Sequence, residues 1–181
     1  NQYKSIYKYY NIVNYDDFEN NIDILSSNIA CTVLKVQEKK TQKGSSYAIV
    51  KFSDLSNVFE LFIFSDIFET NREILTEGNS LMITLFKNYV DDSKSQKKIN
   101  VKKIISLKEV INKPIEGLNL NFKNINDLEK IKSISKIDGN AIIKLEIEDE
   151  KNSLKFKLKD KRKIDHKLIN SLKIKENIVL D

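Results

Sequence analysis

The chain has one cysteine, one histidine, one methionine, one proline, four glycines and no tryptophan in 181 residues. Each scarcity excludes something. With Cys31 alone no internal disulfide can form, and a reducing compartment is expected. One Cys and one His are too few for a zinc site of the usual ligand set. The glycines are scattered singly, so there is no Gly-rich phosphate loop. The longest apolar runs, such as Phe59 to Phe64, are far too short to cross a bilayer, and Glu60 interrupts that one. No membrane association is expected. The polar, tyrosine-rich stretch from Asn1 to Tyr10 does not read as a signal peptide, so the expected location is the cytoplasm. The first residue is not Met, which sets the expectation of a fragment of a longer protein.

Apolar residues make up 40% and charged residues 31%, enough to bury a core beneath a solvated surface. The formal charge is +5 and the pI about 9.0, which permits a polyanionic partner. Lys, Ile and Asn are all abundant, and an AT-rich genome would produce that bias unaided. Position therefore matters more than total. Residues 24–113 carry fourteen basic against ten acidic side chains, and residues 114–181 fifteen against twelve. The excess is modest and spread over both halves.

Tyr3, Ile6, Tyr7 and Tyr10 recur at helical spacing, and Asp16-Asp17-Phe18 reads as the start of a second short helix, its acids at the positive end of the dipole. From Ile29 the period becomes two. Strands are expected at Ile29–Gln37, Ser46–Ser53 and Val58–Phe64, with a loop at Glu38–Ser45 and a tight turn at Asp54–Asn57. Ser65 is expected to cap a helix that Gly78 ends. Leu81–Lys87 and Ile99–Ser106 complete a β-β-β-α-β-β order, separated by a polar loop at Asp91–Lys97. That is the order of a five-stranded OB barrel. Pro114 and Gly117 read as a linker. Beyond them a β-α-β-β-α-β pattern is expected: Leu118–Phe122, a helix at Asn126–Ser135, strands at Ala141–Ile147 and Leu154–Leu158, a helix at Asp165–Leu172 and a strand at Asn177–Leu180. The fold class is therefore mainly β with α+β. It divides into a helical lead-in (1–28), the barrel (29–112) and a small α+β domain (113–181).

Alternation assigns faces. If Ala48, Val50, Phe52, Phe59, Leu61 and Ile63 fill the interior, then Tyr47, Ile49, Lys51, Val58, Glu60, Phe62 and Phe64 face out. The outer face of strands two and three is where such barrels hold oligonucleotides. Tyr47 and Phe62 offer rings for bases to stack on, and Lys51 a partner for phosphate. The competing reading packs these rings under a neighbouring domain or the helix, and for Phe64, beside the helix, packing is the expectation. Glu60 opposes a DNA role locally. Lys35, Lys39, Lys40 and Lys43 crowd the first loop. Lys94, Lys97, Lys98, Lys102 and Lys103 crowd the loop between strands four and five and the fifth strand. In an OB barrel both loops flank one groove, so single-stranded DNA is the expected ligand.

No catalytic residue, metal site or cofactor is expected. Asp91-Asp92 and Glu148-Asp149-Glu150 read as solvated turns, His166 as a capping or surface residue, and Cys31 as core.

The segment VQEKKTQKGSSYAIVKFSDLSNVFELFIFSDIFETNREILTEGNSLMI resembles the OB region of the bacterial DNA polymerase III alpha subunit. The likeness is carried by Lys43 and Gly44 closing a basic loop, then Ala48, Asp54, Glu60, Phe64 and Gly78. NQYKSIYKYYNIVNYDDF resembles the stretch leading into that barrel, and GLNLNF and KFKLKDKRKI resemble the small C-terminal domain. Asn57 replaces a turn glycine, tolerated because Asn also visits positive φ, and Cys31 stands where the family often has Gly. The resemblance implies a bacterial replisome component. Its parent enzyme is a DNA-directed DNA polymerase, a nucleotidyltransferase whose metal-binding carboxylates lie upstream, so this fragment itself is not an enzyme. The barrel would hold single-stranded template, and the C-terminal domain would bind the tau subunit of the clamp loader. Other domains of the alpha subunit would be further partners. The alternative is a protein-interaction module that does not touch DNA.

Overall fold

The computed structural model describes residues 4–90, 96–122, 134, 138–149, 152–171 and 178–180. It is mainly β, with five short helices among the described residues: α1 (Lys4–Tyr9), α2 (Tyr15–Asn20), α3 (Ser65–Asn71), α4 (Leu107–Asn112) and α5 (His166–Ser171). None of them is long and apolar enough to cross a membrane. Two compact units share the chain: Tyr10–Val110 forms one, and Asn1–Tyr9 with Ile111–Asp181 the other. The lead-in expected over 1–28 is thus divided, α1 counting with the C-terminal residues and α2 with the strands that follow it. The boundary falls within α4, a helix the sequence reading does not contain.

The first unit holds β1 (Ser26–Lys40), β2 (Ser46–Ser53), β3 (Val58–Ile63), β4 (Ser80–Tyr89) and β5 (Lys97–Ser106). They form one antiparallel sheet in the order β3-β2-β1-β4-β5. β1 serves two partners, pairing with β4 over Ser26–Thr32 and with β2 over Thr32–Lys40. Near the start of the β2-paired half the register shifts at Val33/Lys35, so Leu34 is an extra, exposed residue of the kind that bends a strand. α3 lies between β3 and β4 in sequence, as expected. The expectation of a closed barrel needs correction: the hydrogen-bonded sheet is open. Its edges β3 and β5 approach one another but share no ladder among the described residues. β3 has six residues and stops at Ile63, where the backbone turns through Phe64 into α3, leaving a short free edge.

Period-two patterning builds the core here. Ala48, Val50 and Phe52 from β2 and Phe59, Leu61 and Ile63 from β3 are all buried, as the alternation requires. Ile29, Cys31, Val33, Leu81, Ile83 and Leu85 join them. Burying a side chain of this size stabilises by about 1.5–3 kcal/mol. Ser65 is the first helical residue of α3 rather than its cap; the extended Phe64 holds the cap position without a side-chain hydrogen bond. Asn57 keeps an ordinary φ, since Asn11 is the non-glycine residue at positive φ among those described. The 54–57 turn is held instead by Asp54, whose carboxylate accepts from the Ser56 and Asn57 backbone N–H groups at 2.8 Å.

α2 is fastened to this sheet at two points. The Tyr15 ring stacks on Phe59 with centroids 3.9 Å apart, and the Tyr15 N–H donates to Asp54 Oδ2 at 2.6 Å. Burial raises the Asp54 pKa, but the hydrogen bonds from Tyr15, Asn57 and Ser56 outweigh it and leave the carboxyl below its usual value. On β4, Lys87 continues the inward row of Leu81, Ile83 and Leu85. It is 2% exposed, and its Nζ donates to the carbonyls of Phe18 (2.6 Å) and Asn21 (2.7 Å). These lie at the C-terminal end of α2, where carbonyls lack helical partners and a cation is favoured.

The second unit holds β6 (Gly117–Phe122), β7 (Asp138–Asp149), β8 (Asn152–Lys157) and β9 (Ile178–Leu180) in the order β8-β7-β6-β9. β6 and β7 are parallel; the other pairs are antiparallel. Leu118, Leu120, Ile143, Leu145, Ile147, Ile164 and Ile169 form its core. The expected helix at Asn126–Ser135 lies outside the described residues, Ile134 excepted. Gly117 opens β6 and Ile115 is buried, so the Pro114–Gly117 stretch is packed structure rather than a free linker.

Candidate nucleic-acid interface

Ladder register decides which side chains share the solvent face of β1, β2 and β3. Lys35, Lys51 and Glu60 stand directly opposite one another across the three strands, and Gln37, Ile49 and Phe62 form the next row. Lys39 and Tyr47 begin a third row, which Phe64 continues just past the end of β3. The first row carries two lysines, the second Phe62, and the third Lys39 together with Tyr47 and Phe64. Glu60 lies beside Lys51, which offsets the repulsion it would exert on a phosphate.

The rings form one cluster. Tyr47 and Phe62 stack with centroids 4.8 Å apart at 27°, and Phe62 meets Phe64 edge-on, also at 4.8 Å. Phe62 is 42% and Phe64 50% exposed, so this cluster is presented to solvent rather than packed beneath a neighbouring element. Phe64 is the residue the sequence reading assigned away from the site. Its outward alternation was legible, but its place beside the helix pointed to packing. Rings half in water forgo part of their burial free energy, about 25 cal/mol per Å² of apolar surface, which any flat apolar ligand would recover.

The remaining sequence candidates are distributed differently. Lys40 shares a row with Ser46, on the other side of the hairpin from Lys39. Lys43 lies in the turn, where Gly44 at φ 86° and the Thr41–Ser45 backbone hydrogen bonds close the loop. Lys94 lies outside the described residues. Lys97 and Lys98 pair with Tyr89 and Asn88 on β4, next to the N-terminal end of β1, whereas the β1–β2 turn is at its C-terminal end. Lys97 is also engaged by α2, donating to the Glu19 carbonyl at 3.0 Å and approaching its carboxylate at 3.4 Å. Lys35, Lys39, Tyr47, Lys51 and Phe62 are therefore brought onto one face, while no strand pairing joins Lys97 and Lys98 to it.

Glu38, the one acid in the first lysine cluster, is turned to the opposite side. Arg72, the residue that follows α3, grips it through two guanidinium nitrogens, at 2.6 and 2.9 Å, while stacking on Phe68 at 4.6 Å. The Arg72 hydrogen bonds hold the Glu38 carboxyl down at about 2. This carboxylate is thereby withdrawn from the aromatic face and used to fasten the hairpin base to α3.

Other candidates give no chemistry. Cys31 is buried, and desolvation with the nearby Asp54 carboxylate pushes its thiol far above the ordinary value, so no thiolate nucleophile is available. His166 is not a surface residue: it is 1% exposed, edge-on to Tyr9 at 5.5 Å, and Asp165 supplies the cap by accepting from the Leu168 N–H. Asp91, Asp92 and Glu150 lie outside the described residues. No family model matches the chain, and no curated protein sequence matches it.

Proposed function

We propose that this chain binds single-stranded nucleic acid on the β1–β2–β3 face, as an OB-type module of a bacterial DNA polymerase III alpha subunit. The observation that carries the reading is the exposed Tyr47–Phe62–Phe64 cluster flanked by Lys35, Lys39 and Lys51. Bases stack on the rings while the lysines take the phosphates, the combination that holds single strands without reading sequence. The OB reading is supported by the strand order β3-β2-β1-β4-β5, the helix between β3 and β4, and the near approach of the two edge strands. In that setting the module holds template strand, the polymerising carboxylates belong to a preceding part of the enzyme, and the C-terminal unit tethers it to the clamp-loader tau subunit in the bacterial cytoplasm.

The test is fluorescence anisotropy with oligo-dT at low salt. Phe62→Ala is expected to weaken binding by about 1–3 kcal/mol, the value of one stacked base. Lys35→Glu with Lys39→Glu is expected to flatten the dependence on salt. A folded Phe62→Ala chain that binds as tightly as wild type would sink the proposal. A second reading, docking of another protein domain on the same rings, is favoured by Glu60 on that face; it requires that the lysine reversals leave oligo-dT affinity unchanged.

A further inference from the structure

The C-terminal unit carries a cationic strip that the reading above does not use. Lys155, Lys157, Lys159, Lys161 and Lys163 alternate along β8 and the segment after it, and all five are exposed. Alternation within β8 puts Lys155 and Lys157 on one side of the strand, about 6.7 Å apart. Across the sheet Lys157 stands directly opposite Lys144, which is opposite Asn119 on β6. A shallow concavity of about 550 Å³ lies here, lined by Asn119, Asn121, Lys144, Lys155 and Lys157 together with Glu146, Leu145 and Phe156.

Three nearby acids are paired, Glu146 with a lysine of the strip itself. Glu146 pairs with Lys155 at 2.8 Å and accepts from Ser153, and these bonds lower its pKa. Asp160 lies 3.4 Å from Arg162, with Asp138 at 4.0 Å from the same guanidinium. Among the described residues no carboxylate pairs with Lys157, Lys159, Lys161 or Lys163.

We infer that this strip is a second nucleic-acid contact, one that grips the phosphate backbone and so accepts duplex as well as single strands. The rows Asn119–Lys144–Lys157 and Asn121–Glu146–Lys155 hold lysines, asparagines and one glutamate; the aromatic Phe156 lies in the intervening row, opposite Leu145. A surface dominated by cations recognises charge spacing rather than bases. The inference is independent of the β1–β2–β3 face.

The experiment uses the full chain and a short blunt DNA duplex, with affinity followed by anisotropy across salt concentrations. Three phosphate contacts give a salt slope near −2.7, so wild-type affinity is expected to fall roughly 40-fold between 50 and 200 mM salt. Lys157→Glu with Lys159→Glu and Lys161→Glu is expected to remove duplex binding, while Tyr47→Ala with Phe62→Ala leaves it intact. Circular dichroism checks folding; should the triple reversal unfold, Lys159→Gln with Lys161→Gln is expected to lower the slope by about two. Unchanged duplex affinity in the folded variant, or no duplex binding by wild type at 50 mM salt, overturns the inference. Competition by poly-glutamate as effective as by duplex at equal charge also overturns it, and assigns the strip to an acidic protein.

Discussion

Lys87→Met is the perturbation with the largest expected effect on the first unit. The methionine chain fills most of the lysine's volume, so the change removes chiefly the ammonium. Two short hydrogen bonds are lost, to Phe18 O at 2.6 Å and Asn21 O at 2.7 Å, together with the approach of Nζ to the Phe18 ring at 4.9 Å. Charge-assisted hydrogen bonds contribute about 1.5–3 kcal/mol each, and stranded carbonyls at a covered helix end add a similar loss. Recovering the ammonium's desolvation offsets part of this. Burial is the main reason that the Lys87 pKa lies below the ordinary lysine value, reinforced by Lys97 and opposed by Glu19. The net expectation is about 2–4 kcal/mol of destabilisation, felt first by α2. Amide hydrogen exchange at α2 and β4 reads this directly, as roughly 30- to 900-fold faster exchange at 1.36 kcal/mol per tenfold. Urea unfolding followed by tyrosine fluorescence, in a chain without tryptophan, gives the matching loss. A variant within about 0.5 kcal/mol of wild type, with α2 protection unchanged, would refute the claim that Lys87 fastens the helix.

His166 makes the C-terminal unit sensitive to acid. Its pKa is lowered, mainly by burial and against the pull of Asp165. The unfolded chain takes up the proton near 6.5 and the folded chain only below that, so stability is full above 6.5 and declines as pH falls toward the folded value. Thermal unfolding at pH 7.5 and pH 5 is expected to show this decline in wild type, and His166→Phe to lose it. Gly139 touches the backbone of 162–163 so closely that an added Cβ would collide with Lys163 N and Cα. Gly139→Ala is therefore expected to destabilise by about 1–3 kcal/mol or more, measured by urea unfolding, since backbone cannot rotate aside as a side chain can.

How far the sequence spoke depended on which force shaped each part. β2 and β3 were legible because burial wrote them: Ala48, Val50, Phe52, Phe59, Leu61 and Ile63 alternate, and each is buried. The outward rows follow from the same pattern, which is why the outward placement of Tyr47, Lys51 and Phe62 is legible. β1 was read as Ile29–Gln37 but runs Ser26–Lys40, because its ends are held by backbone pairing with β4 and β2, and hydrogen bonds leave no hydropathy signal. Lys87 was invisible as an anchor because a lysine reads as surface. The available signal was its place in the inward row after Leu81, Ile83 and Leu85. The tie between Arg72 and Glu38 spans thirty-four positions, a separation that no local pattern reports. His166 was misread because a helix start beside Asp165 resembles an exposed cap, whereas α5 is turned so that its first residue meets Tyr9.

The unpaired Leu34 has a consequence out of proportion to its size. Upstream of it odd-numbered residues point inward (Ile29, Cys31, Val33), and downstream even-numbered ones do, beginning with Val36. Were Leu34 drawn into the ladder as an ordinary paired residue, the parity of everything up to Lys40 would reverse, driving Lys35 and Lys39 at the hydrophobic interior and Val36 out to water. The alignment of positive charge with the three rings is thus fixed by a counting step in the backbone. Away from Leu34, whose own deletion would only close the bulge, length changes in this strand should be tolerated in twos and not in ones.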